Sequence, residues 1–156
     1  TTLARVISGL EAPDSGSLVI GGHMELSYLF QEDRLLPWLN VYDNMSIGLL
    51  KSGGLPDDIS LKDDPVIKMA EALEISDSLW KLPRQLSGGM RHRAALGRTF
   101  LARANVMILD EPFRGLDAPL RSRIIDRLWQ KETETKTVIV ITHEPGIFRE
   151  KTIKMK

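Results

Sequence analysis

The stretch that decides the fold runs from Leu86 to Pro112, "LSGGMRHRAALGRTFLARANVMILDEP". It opens as a turn into a helix. Ser87, Gly88 and Gly89 stand at the helix start, where backbone N–H groups are exposed and no Cβ obstructs an anion. Ser87 as an ordinary N-cap, with the glycines as turn residues, is an equally good reading of the same residues. Further along, Met90, Ala94, Gly97 and Leu101 share one helical face. Two of those four are small, so the expectation is a helix that approaches a sheet closely. "VMIL" then reads as a short buried strand ending in two acids, Asp110 and Glu111.

Working outward, the same alternation continues on both sides. "TVIVITHEP" (137–145) is a second buried strand ending in polar residues, and "KTIKMK" (151–156) reads as a last edge strand. Between the two buried strands, Asp117-Ala118-Pro119 starts an amphipathic helix with Leu120, Ile124 and Leu128 inward. Upstream, "SLVIGG" (17–22) and "LSYLF" (26–30) read as strands, after the turn cluster "EAPDSG" (11–16). The chain begins in a helical pattern with Leu3, Val6, Ile7 and Leu10 on one face. Asp64 suits an N-cap and Pro65 a first helical residue, opening a helix with Val66, Met69, Ala70 and Leu73 as its apolar face. Apolar strands alternating with helices mean an α/β fold, a parallel sheet covered on both faces. Residues 35–97 read as a helical subdomain inserted between two parts of one core, 1–34 and 98–156.

Composition bounds the rest. The chain has 156 residues, 42% of them hydrophobic, with 21 Lys+Arg against 21 Asp+Glu, so no global charge recommends a nucleic-acid or acidic-membrane partner. There is no cysteine, which removes disulfide and thiolate chemistry and fits a reducing compartment. The longest apolar runs are far too short to span a bilayer. These features read as a cytosolic globular domain.

In doubly wound sheets, ligands bind beyond the carboxyl ends of the strands. Gln31, the pair Asp110-Glu111, and His143 all fall at such ends. Singly, each has a plain alternative: a loop glutamine, an acidic turn, a solvated histidine. Together at one edge they indicate a metal- or phosphate-handling site. "VMILDE" fits a Walker B strand, in which the first carboxylate holds Mg²⁺ and the second lies within reach of an attacking water. Thr1 and Thr2 invite a related reading. The phosphate-binding loop ends in Gly-Lys-[Ser/Thr] and runs directly into a helix. If Thr1 is that hydroxyl, it ligates Mg²⁺, Thr2 lies beside the phosphates, and the glycines and lysine precede residue 1. The plain alternative is a threonine N-cap.

Read in order, Thr1-Thr2-Leu3, Gln31, "LSGGM", "VMILDEP", "GLD" and "ITH" resemble the nucleotide-binding subunits of ABC transporters. The likeness covers nearly the whole chain, and "LSGG" followed by a Walker B strand is highly specific. "FQEDRLLPWLNVYDN" (30–44) further resembles the ATPases of nitrate/sulfonate/taurine/bicarbonate importers. The resemblance implies a P-loop NTPase fold with ATP and Mg²⁺ as cofactors. It gives Thr1, Gln31 and Asp110 to Mg²⁺, with Gln31 also sensing the γ-phosphate, Glu111 to water activation as general base, and His143 to the γ-phosphate. Asp117 would lie at a dimer seam, and Ser87, Gly88 and Gly89 would bind the nucleotide held by the opposite subunit. The partners implied are a second ATPase subunit in a homodimer, membrane permease subunits, and a substrate-binding protein. The location implied is the inner face of the cell membrane, held through the permease. Leu36, Pro37 and Trp38 would receive the permease's coupling helix, with local packing as the alternative for Trp38.

The chain also departs from that pattern. The phosphate-loop glycines and lysine, the preceding strands and the adenine-stacking aromatic are missing, so the expectation is an ABC ATPase cut on its N-terminal side and inactive as it stands. His92 replaces the usual glutamine, Arg114 replaces a small residue before "GLD", and "EPGIFREK" replaces an acidic helix. Two other readings remain at this point: a non-catalytic remnant that docks on a permease or partner ATPase, and a soluble ABC ATPase unconnected with transport.

Overall fold

A computed structural model of the chain describes residues 2–50, 63–129 and 134–144. Three parallel strands, β1 (Leu26–Leu29), β2 (Val106–Asp110) and β3 (Thr137–Ile141), form a sheet in the order β1-β2-β3. Leu26 pairs with Val106 and Leu29 with Leu109, while Val106 pairs with Thr137 and Asp110 with Ile141. β2 is central, and its continuous apolar run follows from that position: Met107, Ile108 and Leu109 are fully buried. Asn105 sets the common start of the three strands. Its side chain accepts from Glu25 N (2.9 Å) and donates to His23 O (2.7 Å), and its carbonyl accepts from Thr137 N (2.9 Å).

The helices are α1 (Thr2–Ile7), α2 (Val41–Ser46), α3 (Pro65–Ala72), α4 (Gly88–Leu101) and α5 (Ala118–Ile124). α3 starts as its sequence indicates. Asp64 Oδ1 accepts from Val66 N (2.7 Å) and Ile67 N (3.3 Å), and its Oδ2 accepts from the Tyr42 hydroxyl (2.7 Å). That last bond, followed by burial, raises the Tyr42 pKa above its ordinary value. Val66, Ala70 and Leu73 are buried as the periodicity requires.

Several expected features take another form. "SLVIGG" is not a strand: residues 17–22 join no ladder, and Leu18, Val19 and Ile20 are exposed. Gly16 and Gly22, both at positive φ, bracket the run. With turns at both ends and no paired strand beside it among the described residues, a short apolar run has nothing to hold it in a sheet. In α1 the buried residue is Ala4, while Leu3 is 49% and Leu10 54% exposed. Leu10 lies beyond the helix. Gly9, at φ +74°, ends it in a Schellman turn, with Gly9 N donating to Val6 O (3.0 Å) and Leu10 N to Arg5 O (2.9 Å).

The small face of α4 meets helices rather than the sheet at Gly97, where a Cβ would lie 2.6 Å from Met45 Cε and 2.9 Å from Leu73 Cδ1. α5 buries Leu120 and Ile124, then runs into a π-helical turn, Ile125–Trp129. A π turn advances the phase by one residue, so Trp129 is buried with its ring tilted against Phe113, while Leu128 is half-buried. Thr1 and "KTIKMK" lie outside the described residues.

Two glycines in this packing make contrasting predictions. At Gly48 a Cβ would overlap the backbone carbonyl oxygen of Arg98, and backbone cannot swing aside. Gly48→Ala is expected to destabilise the protein by about 1–3 kcal/mol, the usual range for overpacking. At Gly97 the obstacles are the flexible ends of Met45 and Leu73, so Gly97→Ala should cost less. Chemical denaturation of the two variants of the whole protein checks the order.

Candidate functional site

Because the strands are parallel and in register, their carboxyl ends lie along one edge. β2 ends there at Asp110, which is 2% exposed. Its charge reaches the buried Tyr28 hydroxyl, whose pKa is raised first by burial and then by Asp110. The next residue, Glu111, takes a left-handed conformation at φ +51°, uncommon outside glycine. Its N–H still donates to Ile141 O (2.8 Å), so the backbone stays in the ladder while the side chain turns toward the end of β3.

There the Glu111 carboxylate meets the residues that follow β3. Oε1 accepts from His143 N (2.8 Å), and Oε2 accepts from the Thr142 hydroxyl at a longer 3.4 Å. The His143 ring reaches within 3.8 Å of Oε1 at Nε2, and it is 99% exposed against 20% for the Glu111 side chain. A cavity of about 190 Å³, lined in part by Glu111, Arg114 and Thr142, opens beside the carboxylate. Gln31 is exposed two residues past β1, at the same edge. The structure therefore brings Asp110, Glu111 and His143 together, with Gln31 on the neighbouring strand end.

Asp110 suits Mg²⁺, which takes one or two carboxylates and fills its remaining positions with water and phosphate oxygens. Among the described residues no three His, Asp or Glu side chains cluster as a metal cage of protein alone. Thr2 is exposed at the start of α1.

A second group forms where the turn after β2 ends. Ser87 caps α4, its hydroxyl accepting from Met90 N (3.2 Å), and Gly88 and Gly89 are the first helical residues. A Cβ on Gly89 would lie 3.5 Å from Gly115 O, so this helix start sits against the Gly115 turn. Two residues on, Asp117 caps α5 by accepting from Leu120 N (2.8 Å). Gly89 is thus a neighbour of the turn that leads to Asp117.

Other residues shape the site without a role that the sequence assigned them; for His92 the sequence showed only that it replaces the usual glutamine. Asn44, fully buried, holds the loop that carries Leu36, Pro37 and Trp38. It accepts from Leu36 N (2.8 Å) and donates to Leu36 O, Leu39 O and Asn40 O (2.9–3.1 Å). Trp38 itself is 70% exposed. His92 is 2% exposed and touches both Asp33 and the Pro112 carbonyl. Arg98 reaches the carbonyls of Asp33 (3.1 Å) and Arg34 (3.0 Å), and burial lowers its pKa. The signal for His92 was its spacing: Ala95, Leu96 and Thr99 follow at helical intervals and are buried with it.

With this geometry in hand, comparison with known proteins is specific. The family model described as ABC transporter matches residues 1–114. The maltose/maltodextrin import ATP-binding protein MalK of Vibrio cholerae is 38% identical over 154 residues, covering 92% of this chain and 40% of MalK. The aliphatic sulfonates import ATP-binding protein SsuB of Rhodopseudomonas palustris is 35% identical over 150 residues, covering 92% of this chain and 51% of SsuB. The sn-glycerol-3-phosphate import ATP-binding protein UgpC of the same species is 37% identical, covering 92% and 42%. The chain thus spans 40–51% of the length of these relatives, and they do not single out the sulfonate type. Among solved structures, the dimeric post-hydrolysis ATP-binding cassette MJ0796 with ADP and Pi superposes with a TM-score of 0.79 at 22% identity, covering 94% of this chain and 70% of that one. That likeness establishes the P-loop NTPase fold. Taken together, the family model and the helix-start and strand-end residues it spans show that this chain belongs to the ABC transporter family.

Proposed function

We propose that the whole protein is the ATP-binding and ATP-hydrolysing subunit of an importer. The observation that carries this reading is the end of β2, where the buried Asp110 is followed by a Glu111 carboxylate turned toward His143. Mg²⁺ held by Asp110, with Thr1 and Gln31 as further ligands, would neutralise phosphate charge. Glu111 would take a proton from the attacking water at Oε2, the oxygen with the longer hydrogen bond, while the His143 N–H fixes Oε1. The exposed His143 ring is free to meet a γ-phosphate.

The wider assembly follows from the same residues. Ser87, Gly88 and Gly89 offer a helix start to the nucleotide of a second subunit in a homodimer, with Asp117 near the seam. Thr2 lies beside the phosphates. Residues 35–97 act as a helical subdomain on a core of 1–34 and 98–156, and the exposed Trp38 on its Asn44-braced loop receives the permease. A substrate-binding protein outside the membrane completes the system, and the ATPase sits on the inner face. The 30–44 segment supports the sulfonate/nitrate type of importer.

Metal removal tests the chemistry. Hydrolysis of ATP by the whole protein should require Mg²⁺, stop on chelation and return on resupply. Asp110→Asn should lower the rate by about 10²–10³, as for loss of a group that stabilises developing charge. Hydrolysis that ignores both the chelator and Asp110→Asn would overturn the reading.

A further inference from the structure

The group formed by His92, Asp33 and Pro112 has no part in the chemistry above, yet it joins two arms of the site. Asp33 lies two residues after Gln31, on the segment that leaves β1. Pro112 follows Glu111, on the turn that leaves β2. His92 sits between them from the second turn of α4, its side chain 3% exposed. Nε2 lies 3.0 Å from Pro112 O, and Nδ1 lies 3.0 Å from Asp33 Oδ1. A backbone carbonyl only accepts, so Nε2 donates. Nδ1, on the opposite side of the ring, faces the Asp33 carboxyl group.

We propose that His92 is a positioning residue that ties the Gln31 segment to the Glu111 turn by bridging Asp33 and the Pro112 carbonyl from opposite sides of one buried ring. Arg98, farther along the same helix, is the second tie on the β1 side through the carbonyls of Asp33 and Arg34. Arg34 is itself held at φ +43°, its guanidinium 4.0 Å over the Phe30 ring. Glutamine has one amide nitrogen, so its donors leave from a single atom, and leucine has none. Because α4 also begins at Ser87, the ring fixes both strand-end segments to the element that carries the helix start. The neighbouring charges are otherwise engaged: Arg91 donates to Leu86 O, and Arg93 to Leu73 O and Glu74 O.

This assignment rests on the ATPase reading for its kinetic consequence but not for its structural one, and the experiment separates the two. Asp33→Ala, Asp33→Asn and His92→Leu are made singly in the whole protein, and Asp33→Ala is combined with His92→Leu. Asp33→Ala and His92→Leu should lower kcat by about 10–100-fold, the scale for a small misplacement of reacting groups. KM and binding of a non-hydrolysable ATP analogue should stay within about twofold. Asp33→Asn, whose amide can still pair with the ring, should restore most of the rate. The double variant should be no slower than His92→Leu, because one interaction is removed in both. Hydrogen exchange should show the amides of 31–34 and 112–114 losing protection together in Asp33→Ala while α5 does not change. Full kcat in Asp33→Ala, additive losses in the double variant, or equal losses in Asp33→Asn and Asp33→Ala would overturn the proposal. If His92→Leu does not fold, the two Asp33 variants decide it. A wild-type protein that fails to hydrolyse ATP would refute the ATPase reading, and hydrogen exchange would still decide the tie.

Discussion

Glu111→Gln in the whole protein is expected to bind ATP and to lose nearly all turnover, by about 10²–10⁴ if the carboxylate is the general base. The substitution is a clean one here. The glutamine oxygen can still accept from His143 N, the bond that orients the side chain, so the geometry of the strand end should survive. What disappears is the capacity to take a proton. Because dimer closure would then outlast the blocked step, the variant should accumulate as an ATP-bound dimer, visible as a shift in size on adding ATP. Near-normal steady-state hydrolysis would remove Glu111 from the base role.

The second large effect is expected at Ser87. Ser87→Arg places bulk where the partner subunit's γ-phosphate would sit and should abolish ATP-driven dimerisation, while ATP binding by the monomer stays nearly intact. Ser87 also caps α4, and losing a cap costs about 1 kcal/mol, so the arginine variant alone mixes two effects. Ser87→Asp separates them. An aspartate caps as well as serine does but puts a negative charge before the phosphate. Both variants should fail to dimerise, and only the arginine should melt earlier. Mixed dimers with one altered helix start then test the geometry. A defect confined to the nucleotide bound by the altered subunit itself would rule out action across the interface.

The fold was legible where local and long-range preferences agree. β2 and β3 are apolar runs that a parallel sheet covers, and α3 and α5 begin at acids that do cap them, beside prolines that need no N–H partner. Legibility failed where the outcome depends on neighbours. Residues 17–22 have strand character, but a strand exists only when paired. Leu10 fits the helical interval and lies outside the helix because Gly9 turns the chain. Nothing in the spacing of Leu120, Ile124 and Leu128 announces a π turn, which moves burial to Trp129. At the site, the strand-end acids and histidine could be read because the edge of a parallel sheet collects them. His92 could not be assigned a role, since its partners come from 59 and 20 residues away in sequence.

The strand order has a consequence for how the molecule opens. At the pairing of β2 with β3, Glu111 and Thr142 are 31 residues apart, whereas the clip between Glu25 and Asn105 closes over 80. Both β1 and β3 pair only with β2 among the described residues; what distinguishes them is loop length, and with each doubling of a closed loop costing about 0.6 kcal/mol, β1 is the edge that costs more to close. Releasing it means breaking the His92 and Arg98 contacts to the Asp33–Arg34 segment as well, and only then would Gln31 part from Asp110, Glu111 and His143. The candidate site is therefore gathered over two unequal spans of chain: Asp110, Glu111 and the end of β3 close over a short loop, while Gln31 is brought in over a long one and depends on the ties from α4.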